Sequence, residues 1–321
     1  MGCAIPRVGI YGVIVVIGLL VSWPSRAEQP GHPTPNVPPD HRHHLIYTSM
    51  TALQLNALGF GSDLDIGYRY DLYPHEESQS PLFKGSHLDF LGVAKLTPAY
   101  GRIGVAMVVQ PLAVLRIRAE YLFRGYFTSF DMLQSFATAD ADYRGKTLAS
   151  RADNGQNYGT TGTEAKLEAN LQMKIGPIAI WNQFALLHFK MRLQDGDHVF
   201  YDTYLDMLLP NGRPVITNNA HLIYVTNFGL RVGVRHALVH AFYPKEWLGV
   251  GGENNNTPTH RLGPFAAYTL PFGKGRRFNK PTLILILNWW LQNRYRTGQD
   301  INQGIPYTAL AFRFSGDLMS W

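Results

Sequence analysis

The sequence has a single cysteine, Cys3, placed ahead of the first apolar run. That excludes a disulfide scaffold and a zinc site built on thiolates. Charged residues make up only 16% of the chain, against roughly 25% in an average soluble domain. Past the N-terminal run, no segment sustains the 3.6-residue apolar period of an amphipathic helix. A phosphate-cradling glycine motif, a paired metal-ligand spacing and a nucleophile elbow are all missing, so no cofactor, metal or catalytic residue is expected. The basic excess, a formal +6, is small and scattered, which argues against a nucleic-acid partner. What remains is plentiful apolar and aromatic material, 45% and 12% of residues with 17 Tyr and 17 Phe. A disordered chain does not carry that much.

The N-terminus reads as an export signal. Arg7 supplies the positive charge, residues 8–23 are almost unbroken apolar, and Ser25-Arg26-Ala27 sets small residues around a cleavage point after Ala27. The competing reading is an uncleaved anchor, but the run is shorter than the roughly 18–20 apolar residues of a spanning helix. Residues 28–44 are rich in Pro and His and read as an extended periplasmic linker. His41, His43 and His44 could hold a metal there. A solvated linker fits better, because no carboxylate or thiolate completes the set.

From residue 45 onward the repeated signal is alternation with period two, the mark of a strand with two unlike faces. Between 164 and 175, Glu164, Lys166, Glu168, Asn170, Gln172 and Lys174 alternate with Ala165, Leu167, Ala169, Leu171, Met173 and Ile175. Between 113 and 127, Arg116, Arg118, Glu120 and Arg124 oppose Leu115, Ile117, Ala119, Tyr121 and Phe123. Along 179–194, Trp181, Leu187, Phe189 and Met191 read as the apolar face and His188, Lys190 and Arg192 as the polar one. Along 282–296, Leu283, Leu285, Leu287 and Trp289 oppose Asn288, Arg294 and Arg296. These runs exceed the usual five or six residues of globular strands and suit a tilted bilayer crossing. A soluble sandwich or a soluble barrel around a ligand would also alternate. The length of the runs and the export signal favour the membrane.

About twelve strands are expected, near 48–59, 62–72, 87–96, 100–110, 113–127, 162–175, 178–194, 214–226, 229–243, 259–272, 281–296 and 306–315. Tight connections at Pro111, Gly176-Pro177 and 227–229 alternate with long ones at 128–161, 195–213 and 244–258, short on the periplasmic side and long outside. A three-residue turn at 176–178 would set Lys166 opposite His188 and Glu164 opposite Lys190. The Pro111 hairpin would set Arg116 opposite Val108 and Arg118 opposite Ala106.

This pattern, over 45–321, resembles a bacterial outer-membrane β-barrel of the porin-like kind. Thr308, Leu310, Phe312 and Phe314 alternate with Ala309, Ala311 and Arg313, as in that family's terminal assembly strand. Either Trp321 is the terminal aromatic or the strand ends early with a tail. The block 97–115 also resembles such barrels. The resemblance implies an all-β, antiparallel up-and-down transmembrane barrel in the outer membrane, with both termini periplasmic. It also implies contact with outer-membrane lipid and lipopolysaccharide, and with the barrel-assembly machinery through the last strand.

If the apolar face meets lipid, the ionic face lines the lumen. Its expected lining includes Arg102, Arg116, Arg118, Glu120, Arg124, Glu164, Lys166, Glu168, Lys174, Lys190, Arg192, Arg294 and Arg313. Basic residues outnumber acidic ones there, and rings of Arg and Lys favour anions. The expected function is a small channel passing anionic or polar solutes. The alternatives are a non-conducting structural or adhesion barrel closed by ion pairs, and an outer-membrane hydrolase. The hydrolase candidate is Asp195-Gly196-Asp197-His198, where a carboxylate could hold His198 as a base, though Asp-Gly-Asp is also turn chemistry. Among the other histidines, His221, His236 and His240, the alternation turns His236 toward lipid, which means a rim position or a register error.

Overall fold

The computed structural model describes residues 42–55, 59–73, 81–127, 133–249, 252, 256–273, 275–297 and 304–321. The export signal and the linker up to His41 lie outside the described residues. In chain order the elements are β1 (His43–Leu55), β2 (Gly59–Asp71), β3 (His87–Leu96), β4 (Tyr100–Leu112), β5 (Leu115–Tyr126), β6 (Ser135–Phe136), α1 (Gly145–Asp153), β7 (Thr161–Ile175), β8 (Ile178–Met191), β9 (Val199–Asp202), β10 (Met207–Pro210), β11 (Pro214–Val225), β12 (Leu230–Ala241), β13 (Thr259–Thr269), β14 (Asn279–Gln292) and β15 (Tyr307–Ser320). Twelve of these strands close into one antiparallel barrel, β1-β2-β3-β4-β5-β7-β8-β11-β12-β13-β14-β15 and back to β1. The other three, β6, β9 and β10, form a small sheet.

Period-two alternation becomes a two-faced wall. On β7, Glu164, Lys166, Glu168 and Asn170 are buried while Leu167 and Leu171 are 52% and 55% exposed. Ile103, Val105, Tyr121, Phe184, Leu222, Leu285 and Leu310 are likewise exposed around the ring. A water-soluble barrel would turn these side chains inward. A largely apolar outer face on a closed sheet, interrupted at Asn182 and Asn218, which bond each other at 2.8 Å, is the surface hydrocarbon requires, and closure satisfies every strand edge. The fold is therefore a transmembrane β-barrel. His43, Ser320 and the connections 113–114, 176–177 and 226–229 lie at one end of the barrel, and the strand ends Tyr126, Met191 and Ala241, from which the long connections leave, at the other.

The hairpins correct two expected registers. Ile175 pairs with Ile178 across a two-residue Gly176-Pro177 turn, so Lys166 faces Leu187 and Glu164 faces Phe189. Gly176 has φ +57, a conformation open to glycine that makes so tight a turn feasible. A one-residue change in register turns every side chain over. Trp181, Leu187, Phe189 and Met191 therefore point inward and are buried, while His188 and Lys190 point outward and are exposed. At the β4–β5 hairpin the slip is two residues: Arg118 faces Val108 and Glu120 faces Ala106, with a bulge between Val109 and Leu112. An even slip preserves the faces. Cysteines at Lys166 and Leu187 (Lys166→Cys with Leu187→Cys) are expected to crosslink under mild oxidation and those at Lys166 and His188 are not, read on a non-reducing gel.

The barrel begins earlier and ends later than the alternation suggested. His43 and His44 belong to β1 rather than to the linker, on opposite faces. His43 stacks on Trp321 at 6.1 Å, whereas the His44 Nδ1 lies 2.9 Å from Asp317 Oδ2 and its Nε2 3.4 Å from Asp71. β15 runs to Ser320, and the Trp321 amide donates to the His43 carbonyl at 3.0 Å. Trp321 is thus the aromatic at the end of the closing strand.

Tight curvature relies on inward glycines. A Cβ at Gly263 would collide with the Leu287 carbonyl oxygen on the neighbouring strand. Gly263→Ala is expected to destabilise the barrel by about 1–3 kcal/mol, measured as the shift of the urea midpoint after refolding in detergent.

Candidate functional site: the lumen and its inward hairpin

The inward faces of β2–β5 and β7 carry an interlocked ionic wall. Lys95 Nζ is 2.5 Å from Glu120 Oε1, Arg118 Nη2 is 2.7 Å from Glu120 Oε2, and Lys166 Nζ reaches the same carboxylate at 3.7 Å. Glu120's side chain has no solvent exposure. The network continues through Arg118 to Asp65 at 2.7 Å and through Lys166 to Glu168 at 3.2 Å. Nearer the long loops, Glu164 receives Arg102 at 3.3 Å and Arg124 at 3.6 Å. Towards the short turns, Arg69 pairs with Asp89 at 2.7 Å. Some of these pairs join adjacent strands, as Arg69–Asp89 and Lys166–Glu120 do, others sit two residues apart on one strand, and Arg118–Asp65, Lys95–Glu120 and Arg102–Glu164 reach over intervening strands. All share the inward face that alternation creates.

The other half of the ring is different in kind. Strands β8 and β11–β14 contain no Asp or Glu. Their inward faces combine an apolar cluster of Trp181, Ile223, Phe265, Ala267, Ile284 and Ile286 with Arg235 and Arg261. Arg261 is held between Trp290 and Tyr307, 4.6 and 4.7 Å from their ring centroids, a cation–π arrangement. Arg235 donates to Asn219 Oδ1 at 2.5 Å. His221 faces inward and stacks on Trp181 at 4.2 Å.

A hairpin from the long connection after β8 occupies the space between these walls. Phe200, Leu205, Met207 and Leu209 pack against inward Leu187, Phe189, Met191, Val215 and Val239. On its other side, Val199 and Leu208 pack under a cap of Phe136, Ala139 and Tyr143. The hairpin's Asp202 accepts a hydrogen bond from Arg124 Nη2 at 2.8 Å, both side chains being 2% exposed. Arg124 also lies 4.4 Å over the Tyr100 ring. One cavity of about 40 Å³ lies among Lys95, Tyr100, Arg102, Arg124, Glu164 and Tyr204, and another of about 20 Å³ among Ile223, Arg231, Phe265, Thr282 and Arg313. Such volumes hold a few waters.

The cap is tied down from several directions. Arg294 donates to Asn256 Oδ1 at 3.0 Å and to the Asp140 carbonyl at 2.7 Å, and Arg296 pairs with Asp206 at 2.8 Å. Hydrogen bonds from Arg144 hold the Asp142 carboxyl well below the usual carboxylate range. Asp197 accepts a hydrogen bond from Ser135, and the His198 ring lies flat on Trp247 at 5.0 Å. Among the described residues no hydrogen bond joins the His198 ring to Asp195 or Asp197.

The residues expected to line the lumen therefore fall into three places. Arg102, Arg118, Glu120, Arg124, Glu164, Lys166 and Glu168 stand in the ionic wall. Arg116 faces inward opposite Asn170, Arg313 borders the smaller cavity, and Lys174 sits exposed at the short-turn rim. Lys190 and Arg192 do not line the lumen: the two-residue turn puts Lys190 outside, and Arg192 lies exposed just past the end of β8. Arg294 does not line it either, because β14 ends at Gln292 and Arg294 belongs to the cap. The alternation missed Asp202, Arg261 and the hairpin. The available signal was the apolar content of 199–209, which is too high for a loop facing water.

No protein-family model matches the chain, and no curated protein does. Solved structures with a similar arrangement include the outer membrane protein Omp33 of Acinetobacter baumannii, at 9% identity, covering 86% of this chain and 99% of that one, with a TM-score of 0.36. The β domain of the Bordetella autotransporter BrkA matches at 12% identity over 85% and 98%, with a TM-score of 0.39. OprD of Pseudomonas aeruginosa matches at 8% identity over 88% and 94%, with a TM-score of 0.30. These likenesses are of barrel architecture, and the two faces of the wall are assigned from this chain's own burial pattern.

Proposed function

We propose that this chain is a small outer-membrane channel of the porin-like kind that is closed at rest by its inward hairpin and favours anions when the hairpin withdraws. The observation that carries the reading is the buried Arg124–Asp202 contact, the ionic tie between the hairpin and the barrel wall. Selectivity follows from charge placement. The ionic wall is largely self-neutralised, whereas the opposite wall offers Arg235 and Arg261 on strands without carboxylates. Removing the hairpin also removes Asp202 from the lumen, which leaves the field more positive.

In planar bilayers the wild-type protein is expected to be silent for most of the recording. Asp202→Ala is expected to give resolved openings whose reversal potential under a salt gradient favours chloride. Steady conductance of the wild type overturns closure at rest. Silence of a variant whose hairpin has become protease-sensitive leaves a non-conducting structural barrel as the better reading.

A further inference from the structure

The outward face of the barrel strands carries no carboxylate: Asp63, Asp65, Asp89, Glu120, Glu164 and Glu168 all point inward, and Asp71 and Asp317 meet His44 on the same face. In the half of the barrel toward the long connections, the outward basic side chains are gathered in one sector. These are His188 and Lys190 on β8, with Arg192 just beyond it, His236 and His240 on β12, and His260 on β13. Register makes the sector continuous, since His188 pairs with Pro214, Ile216 with His240 and Leu238 with His260. His236 and His260 touch through their ring nitrogens at 3.1 Å. Three strand spacings make the sector about 15 Å wide. Elsewhere in that half the outward positions are Ile103, Val105, Tyr121, Phe123, Leu310 and their like.

Cationic groups facing a membrane are costly unless a counter-charge meets them. His236 and His260 bond each other and His240 bonds Thr257 Oγ1 at 3.1 Å, but among the described residues neither Lys190 nor Arg192 makes an ion pair with a carboxylate, so their charges are open to a counter-charge from outside the chain. We propose that the sector binds the phosphate groups of a lipid in the surrounding leaflet, with Lys190 and Arg192 as charge anchors and the histidines as hydrogen-bond donors. The position fits for His188, Lys190, Arg192, His240 and His260, which lie toward the strand ends, where headgroups begin, beyond the apolar Leu222 and Val234. His236 sits in the middle of β12 and reaches the group only through His260. Basic groups at a membrane surface recognise anionic headgroups in this way. The inference rests on the outward face meeting lipid and does not depend on whether the lumen conducts.

The test is native mass spectrometry of the refolded full chain in detergent, with diphosphoryl lipid A, monophosphoryl lipid A or phosphatidylcholine added. The wild type is expected to retain diphosphoryl lipid A most strongly. Lys190→Gln with Arg192→Gln is expected to weaken retention about thirtyfold, roughly fivefold per basic side chain, while Lys174→Gln at the opposite rim leaves it unchanged. Competition by inorganic phosphate at concentrations far above the lipid's would assign the site to free phosphate and overturn the lipid. Equal retention of phosphatidylcholine, undiminished retention by the double variant, or a dimer that the double variant dissolves would each overturn the proposal. Folding is followed separately by the heat-dependent gel mobility of a closed barrel. A wild-type chain that folds only without detergent or lipid overturns the membrane reading itself, a different failure.

Discussion

Glu120→Gln is expected to cost the barrel about 3–5 kcal/mol, the range for removing one partner of a buried ion pair. Three cations converge on this carboxylate. Arg118 retains Asp65 and Lys166 retains Glu168, but Lys95 has no other carboxylate within ion-pair distance among the described residues. The neutral amide keeps the shape and removes the charge, so the loss reports an uncompensated ammonium at a site 4% exposed. Lys95→Met in the same background is expected to recover much of the loss, because an apolar stem no longer needs a partner. Equilibrium urea unfolding in lipid vesicles measures all four corners of this cycle. Additive single effects would mean that the lumen is wet enough to screen the pair.

Asp202→Ala is the second large effect, and it acts on the hairpin before the barrel. The substitution takes the 2.8 Å partner from the buried Arg124 guanidinium and leaves it only Glu164 at 3.6 Å, at a cost of about 2–3 kcal/mol, below the range for a fully unpaired buried charge. It also removes the carboxylate that accepts the Tyr204 and Leu205 amides at 3.0 and 2.9 Å. Those two bonds shape the turn that aims Leu205 into the lumen. Cleavage between β9 and β10 by a protease added from the long-loop side is therefore expected to become fast, with the barrel core still folded. Asp202→Asn keeps acceptors for the turn but loses the charge, and an intermediate cleavage rate is expected. Equal rates for the wild type and Asp202→Ala would show that apolar packing alone seats the hairpin.

How much of this was readable in the residues depended on how different the two faces of each strand are. On β7 every inward position from Glu164 to Asn170 is polar and every outward one apolar, so the face follows from alternation alone. On β8 the contrast fails, because the inward Leu187, Phe189 and Met191 must receive the hairpin while the outward Phe184 and Leu186 face lipid. Both faces are apolar there, the rim adds His188 and Lys190, and polarity points the wrong way. A single residue at the Gly176-Pro177 turn then decides the outcome. Arg294 was misplaced for another reason: the alternation runs on past Gln292, but hydrogen bonds to the cap take over from the sheet. The ionic wall was legible as a list of inward residues. Its partner Asp202 was not, because the contact joins β5 to a segment 78 positions away, a distance no local period records.

Eleven of the barrel's twelve ladders join strands that follow one another around the chain, and the ladder between β1 and β15 alone joins its two extremes. Hairpins can therefore accumulate one at a time, each closing a loop far shorter than the barrel, while the seam must wait for all of them and carries the largest loop-closure entropy. Until that last zipper engages, His43–Leu55 and Tyr307–Ser320 are two open edges of a curved sheet, and they are the places where a half-built barrel is most exposed to pairing with the wrong strand.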